Sequence, residues 1–318
     1  MPISQPVSAA KRSLSIAAVE RETGLSKDTL RVWERRYGFP QPLRDQHGER
    51  LYPPDQLERL QLIRRLLDSG QRPGQIVALQ KSELQQRLVR PAIAVAQSQG
   101  ELVELPLCLQ LLKQHDMAQL RRTLNQAMLS LGMERFASEL LGPLNRLVGQ
   151  AWLSGEIQVF EEHLYTECVC ALLRQAIANI VMTTHPSGPR VLLTTIPQES
   201  HGLGLLMAES VLALEGCDCI SLGVQTPLIE IVRAAVEQKV QIVALSFSAS
   251  LGSKQVLHPL GELRARLPDN IAIWVGGSNA ALNDHQIPGI TSVLSLNLIK
   301  PMLAQWQTQQ AAAALSTG

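Results

Sequence analysis

Glu199-Ser200-His201-Gly202-Leu203-Gly204 follows an apolar run, Val191 to Ile196, that reads as a buried strand, and precedes a helical-looking segment, Leu205 to Glu215. One histidine flanked by small residues thus falls at the carboxyl end of a strand, where open α/β sheets bind their ligands. The same alternation continues downstream. Strand-like runs at Cys217–Leu222, Ile242–Ser246, Ile271–Val275 and Ser292–Ser295 alternate with helical patterns around Leu228–Lys239, Gln255–Leu267 and Asn279–Asp284. This is the pattern of a parallel α/β sheet with helices on both faces.

Two further small or polar stretches lie at the ends of these strands. Ser246-Phe247-Ser248 closes the third strand and Gly276-Gly277 the fourth, with 41 residues between Gly204 and Ser246. A neutral imidazole is a good metal ligand, and a carboxylate two residues earlier can accept its other N–H and fix its tautomer. Glycines let backbone approach a ligand closely. Together these segments fit the Asp/Glu-x-His-x-x-Gly, Ser-x-Leu and Gly-Gly signature of the cobalamin-binding domain of methionine synthase and the corrinoid mutases, a flavodoxin-like (Rossmann-type) fold. The resemblance implies that His201 is the lower axial ligand of cobalt, that Glu199 orients it, and that Gly202, Gly204, Ser246, Ser248, Gly276 and Gly277 surround the nucleotide tail. Ser248 stands where that family usually has leucine.

Upstream, Pro186-Ser187-Gly188-Pro189 reads as a linker, and from Glu101 to Met182 apolar residues recur at helical spacing with breaks at Gly100, Gly132 and Gly142-Pro143. A four-helix bundle over 91–185 is expected, with His115 on its surface. Within it, Gly155 separates Trp152, at the end of one helix, from Glu162-His163 in the first turns of the next. This Trp-x9-Glu-His spacing resembles the helical subdomain of CarH and LitR type regulators, which implies that Trp152, Glu162 and His163 surround an adenosyl group above the corrin. Light-sensing members often have a histidine after the tryptophan; here it is Leu153. Cys168 and Cys170, two apart on one helix, are expected as core thiols.

The amino-terminal part differs in charge. Residues 1–90 carry 16 Lys and Arg against 10 Asp and Glu, and the remainder carries 13 against 18, so a net charge of +1 conceals a basic module joined to an acidic one. After a flexible 1–12, Ser15 can cap a helix Ile16 to Thr23 that ends at Gly24, and Ser26 can cap a second, Lys27 to Tyr37, that ends at Gly38. The second carries Lys27, Thr29, Arg31, Arg35 and Arg36, donors suited to phosphates and base edges. A hairpin-like stretch bearing Arg44 and Arg50 follows, then a helix from Pro54-Asp55 to Ser69-Gly70. With Trp33 as a packing residue, 13–90 resembles the MerR-type winged helix-turn-helix.

Joined in order, the three parts (13–90, 91–185, 186–318) resemble the CarH/LitR class of cobalamin-dependent, light-sensing transcriptional regulators. The resemblance implies a repressor of double-stranded operator DNA that binds adenosylcobalamin, assembles as a dimer or tetramer, and carries no enzymatic activity. It also leaves open a light-independent cobalamin sensor, a cofactor-independent regulator of the same architecture and, from another class, a corrinoid-carrying methyltransferase subunit. Five cysteines without paired spacing fit a reducing cytoplasm rather than a disulfide framework, and no signal-peptide pattern or uninterrupted membrane-length run stands out. His185, His258 and His285 match no motif, Cys217 and Cys219 lack further ligands, and Trp274 and Trp306 are expected in cores or interfaces.

Overall fold

A computed structural model describes residues 13–95, 104–183, 186–284 and 287–316. The expectations for 1–12, His185 and His285 fall outside these residues. The chain divides into two compact units, 1–99 and 100–318.

In the first unit, β1 (Leu14–Ser15) leads into α1 (Ile16–Thr23), and α2 (Lys27–Tyr37) follows after a three-residue turn. Both helices start and stop where side-chain chemistry dictates. The Ser15 hydroxyl accepts the Ala18 N–H and the Ser26 hydroxyl the Thr29 N–H, while Gly24 and Gly38 end the helices with left-handed φ of 66° and 68°. Two short strands, β2 (Leu43–Arg44) and β3 (Arg50–Tyr52), form the hairpin, and β1 pairs with β3 to give an antiparallel sheet of order β1-β3-β2. Then come α3 (Pro54–Asp68), α4 (Pro73–Ile76) and α5 (Lys81–Val95). Trp33 is buried, as are Val19, Leu30, Leu60 and Ile63.

The second unit opens with a bundle of α6 (Glu104–Lys113), α7 (Met117–Leu131), α8 (Gly142–Ser154) and α9 (Val159–Thr183). One expected break is absent. Gly142-Pro143 does not end a helix: a short helix Met133–Arg135 runs through a π-helical stretch, Phe136–Leu141, directly into α8, with Pro143 in its first turn. Proline lacks the N–H that the preceding turn would bond, and a widened turn absorbs that loss without ending the helix. The stretch Val159–Val181 of α9 is long and apolar enough, by length and composition, to cross a membrane. In this fold its Tyr165, Val169, Leu172, Leu173 and Ile177 are buried, and the first four belong to the bundle core.

The α/β part contains β4 (Arg190–Thr194), α10 (Leu203–Leu214), β5 (Asp218–Gly223), α11 (Leu228–Glu237), β6 (Ile242–Phe247), α12 (Ser253–Arg266), β7 (Ala272–Gly277), α13 (Ala281–Asp284), β8 (Ile290–Val293) and α14 (Ile299–Ser316). Its five strands are parallel in the order β5-β4-β6-β7-β8, the doubly wound arrangement expected. α10 is apolar nearly all round because it packs on both sides. Met207, Leu203 and Leu206 join the core of the bundle, whereas Leu205, Val211 and Leu212 join the sheet cluster that also holds Trp274 and, partly buried, Trp306. Across that junction the Asn145 amide donates to Met207 Sδ at 3.2 Å, and the Tyr165 hydroxyl donates to Asn145 Oδ1. The loop preceding α10 is the one that carries Glu199 and His201.

Candidate functional site

At the carboxyl end of β4, Glu199 is fully buried and His201 is exposed over 58% of its side chain. Glu199 Oε1 accepts His201 Nδ1 at 2.6 Å and the His201 backbone N–H at 2.9 Å; Oε2 accepts the backbone N–H and the hydroxyl of Ser248, each at 2.7 Å. Burial alone would raise this carboxyl's pKa, but the hydrogen bonds from His201 and Ser248 outweigh it and hold the group below its ordinary value. An ionised acceptor at Nδ1 keeps that nitrogen protonated, so that Nε2 is the ring nitrogen carrying the lone pair. Ser248 also pairs with Ser250, Oγ to Oγ at 2.6 Å. Its hydroxyl therefore supports the carboxylate that orients the histidine.

Two buried polar residues outside those motifs, Thr195 and Asn279, hold these loops. The Thr195 hydroxyl donates to the Glu199 carbonyl at 2.6 Å and accepts the Gln225 N–H at 2.8 Å, tying the loop after β4 to the one after β5. Asn279 donates to the carbonyls of Ser248 and Leu251 and accepts the Ala281 N–H. Their signal was a polar residue embedded in the apolar run Val191–Ile196, and an asparagine directly after Gly276-Gly277-Ser278.

The glycines lie where backbones come close. A Cβ on Gly204 would stand 3.2 Å from Ser246 Oγ, one on Gly202 2.9 Å from Val224 Cγ1, and one on Gly276 2.9 Å from the Val293 carbonyl oxygen. Gly277 has φ 118° and no room at all, its Cβ falling 2.1 Å from the Phe247 carbonyl oxygen. The donor set also constrains the ligand. Among the described residues no group of three or more His, Cys, Asp and Glu side chains can hold a metal ion. One imidazole oriented by one carboxylate suits a metal whose other positions are already filled by its own macrocycle, so these residues fit a corrinoid.

On the bundle, Gly155 ends α8 with φ 80°, and α9 begins at Val159. Trp152 and Leu203, the latter in the first turn of α10, pack against the same apolar cluster. Glu162 is half-buried and accepts the Thr166 hydroxyl at 2.7 Å; His163 is largely exposed, 3.7 Å from Glu162. Cys168 and Cys170 are partly buried, and desolvation raises both thiols' pKa values. His115 is exposed as expected but is bonded to Glu161.

In the first unit Arg31, Arg35, Arg36 and Arg44 are exposed and Lys27 and Thr29 half-buried. Arg31 rests 3.2 Å from Asp28, Lys27 3.5 Å from Glu20, and Arg36 lies over the Tyr37 ring. Thr29 shares its hydroxyl with the Ser26 cap, and Arg44 donates to the Gly48 carbonyl across the hairpin turn. Arg50 is different: its guanidinium bonds Glu34 at 3.0 Å and so pins the hairpin to α2.

Residues 14–83 match the MerR HTH family of regulatory proteins, 189–293 match the B12 binding domain, and 108–177 match a second B12 binding domain family. The HTH-type transcriptional repressor CarA of Myxococcus xanthus is 30% identical over 276 residues, 84% of this chain and 88% of CarA. The HTH-type transcriptional repressor CarH of the same organism is 28% identical over 285 residues, 87% of this chain and 92% of CarH. Among solved structures, the monomethylamine corrinoid protein of Methanosarcina barkeri aligns with TM-score 0.49 at 16% identity, over 62% of this chain and 95% of its own.

Proposed function

Since the chain belongs to the CarA/CarH family of MerR-type transcriptional regulators with B12-binding domains, we propose that it is a cytoplasmic repressor of operator DNA that holds adenosylcobalamin between bundle and sheet and releases DNA in light. The observation that carries the cofactor half is the buried Glu199 carboxylate fixed by His201 and Ser248. His201 Nε2 would bind cobalt from below, while Gly202, Gly204, Ser246, Gly276 and Gly277 would border the nucleotide tail and Ser248 would act through Glu199. When bound, the cofactor supplies a cobalt–carbon bond that visible light cleaves. Trp152, Glu162 and His163 would enclose the group on the upper side.

Because α10 is packed into the bundle core and into the sheet core, a ligand held at the loop before α10 and against α8 and α9 favours one arrangement of the two. That arrangement would set a homo-oligomer able to engage operator DNA through Lys27, Thr29, Arg31, Arg35, Arg36, Arg44 and Arg50. Leu153 favours a second reading, a cobalamin sensor without light, since it offers no atom to cobalt next to Trp152. Gel-shift titrations of operator DNA with the adenosylcobalamin-loaded chain, in darkness and after illumination, separate the two. Binding lost on illumination supports the light switch, and binding unchanged by light supports the second reading.

A further inference from the structure

Two side-chain pairs tie the end of α6 and the turn after it to the segment joining α8 to α9 and to the first turn of α9. Lys113, the last residue of α6, lies 3.0 Å from Glu156 Oε1, and His115 Nε2 lies 2.9 Å from Glu161 Oε1. His115 holds φ 58°, a left-handed backbone unfavourable for a residue with a Cβ, and its ring meets Phe160 edge-on with centroids 5.5 Å apart. Glu161 is buried, and its second oxygen accepts the Gln158 N–H at 2.6 Å. On the other side the N–H groups of Glu156 and Ile157 both return to the Ala151 carbonyl. The non-helical span 155–158 is thus held at both ends, between Trp152 and the pair Glu162-His163.

Resting on the cobalamin reading above, we propose that Lys113 and His115 form a clip that sets the distance from Trp152 to Glu162-His163 and so determines which upper-side group the bundle admits. They are positioning residues: each acts on the span through Glu156 or Glu161. Ion pairs as exposed as Lys113–Glu156 contribute little to folding, so the effect of that half of the clip belongs in discrimination between ligands more than in stability.

The test compares adenosylcobalamin with hydroxocobalamin, which differ on the upper side alone, by equilibrium titration of the full chain. His115→Ala and Lys113→Glu should each weaken adenosylcobalamin by up to about fivefold and leave hydroxocobalamin within about twofold. His115→Gln, which keeps a donor for Glu161, and the exchanged pair Lys113→Glu/Glu156→Lys should restore discrimination. In the unloaded protein, His115→Ala should speed amide exchange across 155–163. Equal loss for both corrinoids, or unchanged exchange in that span, would overturn the clip. Failure of the wild-type chain to bind either corrinoid would instead overturn the reading of the site, and the clip's role with it.

Discussion

Glu199 Oε2 lies 2.7 Å from both the backbone nitrogen and the hydroxyl of Ser248, a residue 49 positions away. The residue that departs from the expected Ser-x-Leu pattern is therefore a partner of the carboxylate that orients His201. Ser248→Ala keeps the backbone donor and loses the hydroxyl. Hydrogen bonds to charged groups contribute about 1.5–3 kcal/mol, and with three donors left on Glu199 the loss should be near the lower end. Urea unfolding of the second unit checks this, and an unchanged midpoint would show that the hydroxyl is dispensable.

Removing the carboxylate's charge should cost more in binding than removing one of its donors. Glu199→Gln loses control of the His201 tautomer, and loss of such an orienting partner typically costs about 10–100-fold in metal affinity. Titration with cobalamin should place Glu199→Gln in that range and Ser248→Ala closer to wild type.

Glu161 supplies a pH signature. Hydrogen bonds from the Gln158 N–H and from His115 lower its pKa from the ordinary 4.5, although burial opposes them. A group with a depressed folded pKa contributes stability above its unfolded pKa and loses that contribution as pH falls through the folded value. Glu161→Gln should accordingly be less stable than wild type at neutral pH, with the gap closing only below about pH 4.5. Thermal unfolding of both proteins across pH 3–7 measures it, and a gap independent of pH would contradict the assignment.

The arginines of the first unit should separate into two classes. Arg35 is exposed, so Arg35→Ala should leave thermal stability unchanged and reduce the salt dependence of operator binding by about one phosphate contact, as should Arg31→Ala. Arg50→Ala breaks the link to Glu34 and should destabilise the hairpin as well as weaken DNA binding. Salt-dependent gel shifts combined with melting curves of the same proteins distinguish the classes.

Much of this was legible in order along the chain because the signals are local. Serine caps and left-handed glycines mark α1 and α2, and alternation of apolar runs marks the parallel sheet. Glu199 and His201 are two residues apart, so their contact could be read as a motif. The Ser248 and Thr195 contacts join segments that only the sheet brings together, and no local pattern encodes them. Pro143 read as a break because sequence reveals its missing N–H but not the π-helical turn that absorbs it. The helix α14 is not legible in the sequence, since its packing residues, Leu303 and Trp306, sit in a glutamine- and alanine-rich stretch without a marked apolar period. His115 looked like a bare surface histidine because Glu161 lies 46 positions away.

Ligation of cobalt by the His201 imidazole, as proposed, is open to direct measurement. Loading the full chain with a cobalt(II) corrinoid and recording its electron paramagnetic resonance spectrum, with and without isotope-labelled histidine, tests it directly. A nitrogen hyperfine pattern that changes with the label and disappears in His201→Ala is the predicted result. A pattern insensitive to the label, or unaltered in His201→Ala, would contradict the account.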